Sequence, residues 1–168
     1  MSVRVAVDAM GGDFAPEEIV KGAVQAVREL GIPVVLVGKP EKVQAELDKY
    51  DTKGLDIELV PAEEVIEMDE SPSSGLRKKK NASIVVTVEQ VASGKAQALV
   101  AAGSTGAAMA ACLFGLGRLP KIDRPAIAVQ MPTTADKPVL LLDAGANSSC
   151  EPEMLYQFAI MGCSFASA

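Results

Sequence analysis

Short β-rich runs, most of them apolar throughout rather than alternating with polar residues, constrain this chain more than any other feature. They lie at residues 3–7, 34–37, 57–60, 98–102, 126–129 and 139–142. A strand with one wet face shows period-two alternation, whereas a strand covered on both faces reads as continuously apolar. Stretches of helical character lie between these runs. Over residues 16–30, Ile19, Ala23, Val27 and Leu30 form one stripe, and Lys21, Gln25 and Arg28 point away from it. Pro16 near the first turn and Gly31 just past the end are start and stop signals. Residues 41–50, 83–93, 105–116 and 152–161 are further expected helices. The pattern predicts an α/β fold, a parallel sheet with helices on both faces, as one domain over residues 1–168. Residues 61–81 fit no element and read as a long functional loop.

In an open α/β sheet, ligands bind beyond the carboxyl ends of the strands. Three expected strands end in loops of glycine and small polar residues: "DAMGGD" at 8–13, "GSTG" at 103–106 and "DAGANSS" at 143–149. Each precedes an expected helix, so backbone N–H groups and a helix dipole can face a phosphate or another anion. The candidate binding residues are Asp8, Gly11, Gly12, Asp13, Ser104, Thr105, Gly106, Asp143 and Asn147. Plainer roles exist for several of them. Asp13 can cap the first helix, Asp8 and Asp143 can close Asx-type turns, and Ser104 or Thr105 can cap a helix. No P-loop and no G-x-G-x-x-G follows a strand, so the nucleotide fingerprints are missing. The basic run Arg77, Lys78, Lys79 and Lys80 is either a solvated face or a clamp for phosphate or an acidic partner.

Composition removes other classes. A net charge of -6, a pI near 4.7 and 4% aromatic residues argue against nucleic-acid binding. Cys112, Cys150 and Cys163 form no C-x-x-C pair, which fits a reducing, cytoplasmic setting. The absence of histidine excludes Ser-His-Asp and Cys-His systems and His-ligated zinc within these residues, and no metal site is expected. Cys112 sits in an apolar helix face, and nothing near Cys150 would lower its pKa. Any reaction is therefore expected to work by positioning and charge stabilisation. Arg4 and Asp8 interrupt the first apolar run, against a signal peptide. The 22 uncharged residues 96–117 are broken by "GSTG" and read as strand, loop and buried helix rather than a membrane span.

Four blocks carry a resemblance: "VAVDAMGGDFAPEEIVKGAVQA", "EVIEMDESPSSGLRKKK", "GSTGAAMAACLFGLGRLPKIDRPAIA" and "LLDAGANSSCEPEMLYQFAIMG". Together they resemble the PlsX-type phosphate acyltransferases, in their amino-terminal half. The resemblance implies transfer of a fatty acyl group from acyl-[acyl-carrier protein] to inorganic phosphate, giving acyl phosphate for bacterial phospholipid synthesis. It also implies a three-layer α/β/α sandwich similar to the phosphotransacetylase and isopropylmalate dehydrogenase fold group. A cytosolic homodimer loosely associated with the membrane, with no nucleotide cofactor, is implied as well. Ser104 stands where the family usually reads Asn in "GNTG", and Ser149 where Asp often follows "GAN-x". Two alternatives are a non-catalytic fragment and an NAD-dependent dehydrogenase of the same fold group, although neither a carboxylate-rich metal site nor an NAD-binding segment is evident. A chain cut within a helix-strand repeat is further expected to self-associate and to show little turnover alone.

Overall fold

Valine-rich runs with opposite faces sent to different helices build the sheet. The computed structural model describes residues 3–134, 137–147 and 149–167. Two compact units divide the chain, Met1–Leu116 and Gly117–Ala168. In the first, β1 (Val5–Asp8), β2 (Val34–Gly38), β3 (Ile57–Pro61) and β4 (Ala98–Ala101) form one parallel sheet in the order β3-β2-β1-β4. Val7, Val34 and Leu36 pack with α1 (Glu17–Leu30) and α2 (Pro40–Leu47) through Val20, Val24, Val27 and Val43. Ala6, Val35 and Val37 turn to the other face and meet Val86 of α4 (Ser83–Ala92). The fully buried Leu36, Val35 and Val37 each contribute about 1.5–3 kcal/mol by leaving water. Helices on both faces of a parallel sheet give the expected three-layer α/β/α arrangement.

The α1 stripe is centred on Val20, Val24 and Val27, and Leu30 in its last turn is 68% exposed. Gly31 ends the helix at φ 64, in the left-handed region where glycine carries no Cβ penalty. Two further helices complete the first unit, α3 (Pro72–Lys78) and α5 (Thr105–Gly115). The segment expected to be structureless therefore contains a seven-residue helix. Pro72 sits at its first turn, and Gly75 lies so close to Ile66 that a Cβ would stand 2.9 Å from Cγ2. Residues 96–117 resolve into β4, a loop and α5, and among the described residues no helix is long and apolar enough to cross a membrane.

The second unit corrects one expectation. β5 (Ala128–Met131) and β6 (Val139–Leu142) pair antiparallel with each other, Ala128 opposite Leu142, rather than parallel within the four-stranded sheet. Only seven residues connect them, which suits a hairpin, whereas a parallel pair needs a crossover of about a dozen or more. α6 (Pro152–Ser167) runs further than the expected residue 161. It covers β6 through Gly162, where a side chain would collide with Leu142. Gln157 on α6 ties down residue 123: its Oε1 accepts from the Asp123 backbone N–H at 2.8 Å, and its Nε2 donates to the Asp123 carboxylate at 2.8 Å.

Candidate anion site at the switch point

In the order β3-β2-β1-β4, the chain leaves β1 toward β2 on one side, while β4 lies on the other. That reversal opens a crevice beyond the carboxyl ends of β1 and β4, where doubly wound sheets bind ligands. Asp8 pairs in register with Ala101, so the "DAMGGD" and "GSTG" loops leave the sheet at the same level. Their backbones then touch. A Cβ on Gly11 would stand 3.1 Å from the Gly103 nitrogen, and one on Gly103 would stand 3.1 Å from the Gly11 Cα. Gly12 has φ +115, and a Cβ there would also meet the Ala102 carbonyl oxygen at 3.1 Å. Side chains are excluded here by contact, so main-chain groups form the floor of the crevice.

Asp8 is buried at the centre of this floor. Its carboxylate accepts from the Met10 N–H at 3.0 Å, closing the Asx-type turn expected of it. Burial pushes its pKa above the ordinary value, while the Ser83 hydroxyl and the Met10 and Gly11 N–H groups pull it down more weakly. Asp8, Gly11, Ser83, Gly103, Ser104 and Ala107 line a cavity of about 10 Å³, room for about one water molecule. Ser83 is the first residue of α4 and Ser104 caps α5, its hydroxyl accepting from the Ala107 N–H at 3.3 Å. Two helix starts therefore line the cavity with positive dipole ends, alongside the glycine loops. Nothing in the sequence reading pointed to Ser83. The available signal was a small polar residue opening the expected helix at 83–93.

The other expected residues divide. Asp13 is exposed and does not cap α1. Pro16 occupies the N-cap with no side-chain cap bond, because the helix starts three residues further along. Thr105 is exposed in the first turn of α5, and a Cβ on Gly106 would meet Pro72 at 3.1 Å. The third loop belongs to the second unit, and its Ser148 lies outside the described residues. Asp143 has φ 56, and Asn147 closes over it: Nδ2 donates to Oδ1 at 2.8 Å and to the Pro125 carbonyl at 3.4 Å. The side-chain amide of Asn147 is thus used in shaping its own loop. Burial and the Asp143 carboxylate push the Cys150 thiol pKa up, which disfavours a reactive thiolate.

The basic run is no uniform patch. Lys79 pairs with Glu70 at 2.5 Å and donates to the Val65 carbonyl at 2.7 Å, so it fastens α3 to the segment before it. Arg77 lies along α3, its Nε donating to the Ser73 carbonyl at 3.2 Å. Lys78 and Lys80 are exposed and form no ion pair among the described residues. A clamp built from this run has Arg77, Lys78 and Lys80 available, with Lys79 holding the scaffold.

A family model described as "Fatty acid synthesis protein" matches residues 3–168. The chain belongs to that family. A phosphate acyltransferase of Desulforamulus reducens is 54% identical over 98% of this chain and 49% of its own length. The phosphate acyltransferases of Nostoc punctiforme and Citrifermentans bemidjiense are 53% and 55% identical, over 97% and 95% of this chain and 48% and 45% of theirs. The chain spans about half the length of these curated relatives. The family match covers both glycine loops, α3 and the basic run as well as the second unit.

Proposed function

We propose that this chain carries the phosphate-binding part of an enzyme that moves a fatty acyl group from acyl-[acyl-carrier protein] to inorganic phosphate. The observation that supports the reading best is the contact of Gly11 with Gly103 beneath two helix starts. Main-chain donors and dipoles suit a small tetrahedral anion better than a nucleotide, which would need a base and ribose pocket as well. In this reaction a phosphate oxygen forms a bond to the thioester carbonyl carbon, the carbon–sulfur bond breaks, and the carrier thiol leaves and takes a proton. Phosphate is itself the nucleophile, so the chain need supply only orientation and charge stabilisation. Burial raises the Asp8 pKa, so this carboxyl beside the proposed anion site ionises less readily than an exposed one. In this reading Lys78 and its exposed neighbours attract the acidic carrier protein. A cytoplasmic homodimer at the membrane periphery completes the proposal.

The test is a titration of inorganic phosphate followed by amide resonances. Shifts are expected at Gly11, Gly12, Gly103, Ser104 and Ala107. A companion assay looks for phosphate-dependent thiol release from acyl-carrier protein with no change in NAD absorbance. Silent loop amides at millimolar phosphate would refute the site, and NAD reduction without thiol release would point to the dehydrogenase instead.

A further inference from the structure

The first unit has a second concavity, distinct in chemistry from the polar cavity. It is a groove of about 570 Å³ between α3, α4 and α5, within the usual ligand-pocket range of about 300–1,000 Å³. Its apolar lining includes Leu76 of α3, Val85 and Val88 of α4, and Ala111 and Phe114 of α5. Leu76, Val88 and Ala111 are buried, whereas Phe114 is 75% exposed. The α5 side of the groove is built from small residues: Ala111 packs on the neighbouring helices, and Gly115 approaches Val88 so closely that no Cβ would fit. A larger side chain at Ala111 would narrow the groove.

Two further features narrow the occupant. Arg77 and Lys80 also line the groove, against the single carboxylate of Glu89. The excess of cation favours an anionic ligand with an apolar body over a neutral or cationic one. The groove and the polar cavity share two helices, α4 and α5. Ser83 and Ile84 of α4 and Ala107 and Ala108 of α5 line the cavity, and Val85, Val88, Ala111 and Phe114 line the groove further along the same helices. At 1.5 Å per residue, Ala111 lies about 6 Å beyond Ala107.

We infer that this groove holds the hydrocarbon chain of the acyl substrate, with its reacting end toward the glycine loops and Arg77 and Lys80 drawing in the anionic group that this end carries. The inference rests on the acyl-transfer reading, which it extends from a phosphate site to an acyl subsite. A chain laid along the α4–α5 seam covers Phe114 and leaves its carbonyl end beside the two helix starts. Small residues on α5 then act in specificity, because they set the width available to the chain.

The probe is dodecyl phosphate, kept below its micelle concentration and titrated into the protein while methyl and amide resonances are followed. Shifts are expected at Leu76, Val85 and Val88, with no comparable binding of dodecyltrimethylammonium. Two variants change exposed side chains only. The pair Arg77→Glu and Lys80→Glu removes the cationic rim, and two surface ion pairs correspond to about a tenfold loss of affinity. Phe114→Ser removes apolar contact and is expected to weaken binding by a similar factor, with circular dichroism confirming an unchanged fold. Shifts confined to the glycine loops, or equal affinity in both variants and the parent, would overturn the inference. Inorganic phosphate on the same sample judges the phosphate site separately, through Gly11 and Gly103 rather than the groove methyls.

Discussion

Replacing Gly11 by alanine tests the site at its tightest point. The added Cβ would stand 2.9 Å from the Asp8 carboxylate, 3.1 Å from the Gly103 nitrogen and 3.2 Å from the Gly103 Cα. Two of these three neighbours are backbone, and that backbone is anchored by the parallel pairing of β1 with β4, so no side-chain rotation relieves the clash. Overpacking of this kind costs about 1–3 kcal/mol. At about 2–4 °C per kcal/mol for a chain of this size, the melting temperature should fall by about 2–12 °C. Gly22→Ala is the control, because Gly22 lies within α1, is exposed, and has nothing within 4 Å of an added Cβ. In a helix interior that change is favourable by about 0.5–1 kcal/mol. Opposite signs are therefore expected for the same chemical substitution, read by thermal or urea unfolding followed by circular dichroism. The Gly11 variant should also lose phosphate-induced shifts at Ser104 and Ala107. A Gly11→Ala protein as stable as its parent, with phosphate binding intact, would refute the idea that the two loops are locked by backbone contact.

The remaining two predictions concern charge. Asp8 has a raised pKa in the folded chain, so its contribution to stability is fully present below the usual 3.8 and is lost as pH rises through the folded value. Asp8→Asn keeps an oxygen for the Met10 N–H but cannot ionise, so its stability advantage over the parent should grow from acid toward neutral pH; parallel stability-pH curves would exclude this. Lys79→Met should lower the melting temperature more than Lys78→Met, because only Lys79 joins Glu70 and Val65. Lys79 lowers the Glu70 pKa below 4.5, a contribution present above that value and lost on acidification, so the gap between the two variants should narrow in acid. Equal melting temperatures at neutral pH would show that the ion pair is incidental.

How much of this was legible in the sequence depends on whether the signal was local. β1 and β2 were readable because apolar residues face both α1 and α4, leaving no polar position in β2 and only the terminal Asp8 in β1. The meeting of the glycine loops was readable because glycine and small polar residues gather where two apolar runs end, and Gly11 and Gly103 do meet. The pairing of β5 with β6 was also available, in a connection too short for a crossover, but strand composition alone outweighed it. α3 was missed because "SPSSGLRK" has poor intrinsic helix propensity, and its stability comes from Leu76 and Gly75 packing on Ile66, contacts that no helical or strand periodicity signals. The same holds for Lys79, whose partner lies nine residues away on the other side of α3. Asp13 misled because a carboxylate near a helix start usually caps it, whereas here the chain makes a turn before α1 begins.

The serine at 104 brings these threads together. Serine and asparagine are about equally good helix caps, since both offer a short side-chain oxygen to an N–H in the first turn. Ser104 uses its oxygen for that purpose, on Ala107. If the residue at this position acted by reaching a ligand with its side chain, a shorter group would leave a gap. If it acts by fixing the start of α5, the two residues are equivalent, and the anion is met by main-chain N–H groups that do not depend on residue type. The close contact of Gly11 with Gly103 favours the second account, because a site floored by backbone has its donors placed by β1, β4 and the two helix starts rather than by any one side chain. Recognition of that kind tolerates a change from asparagine to serine at the cap, but tolerates no added Cβ at the glycines.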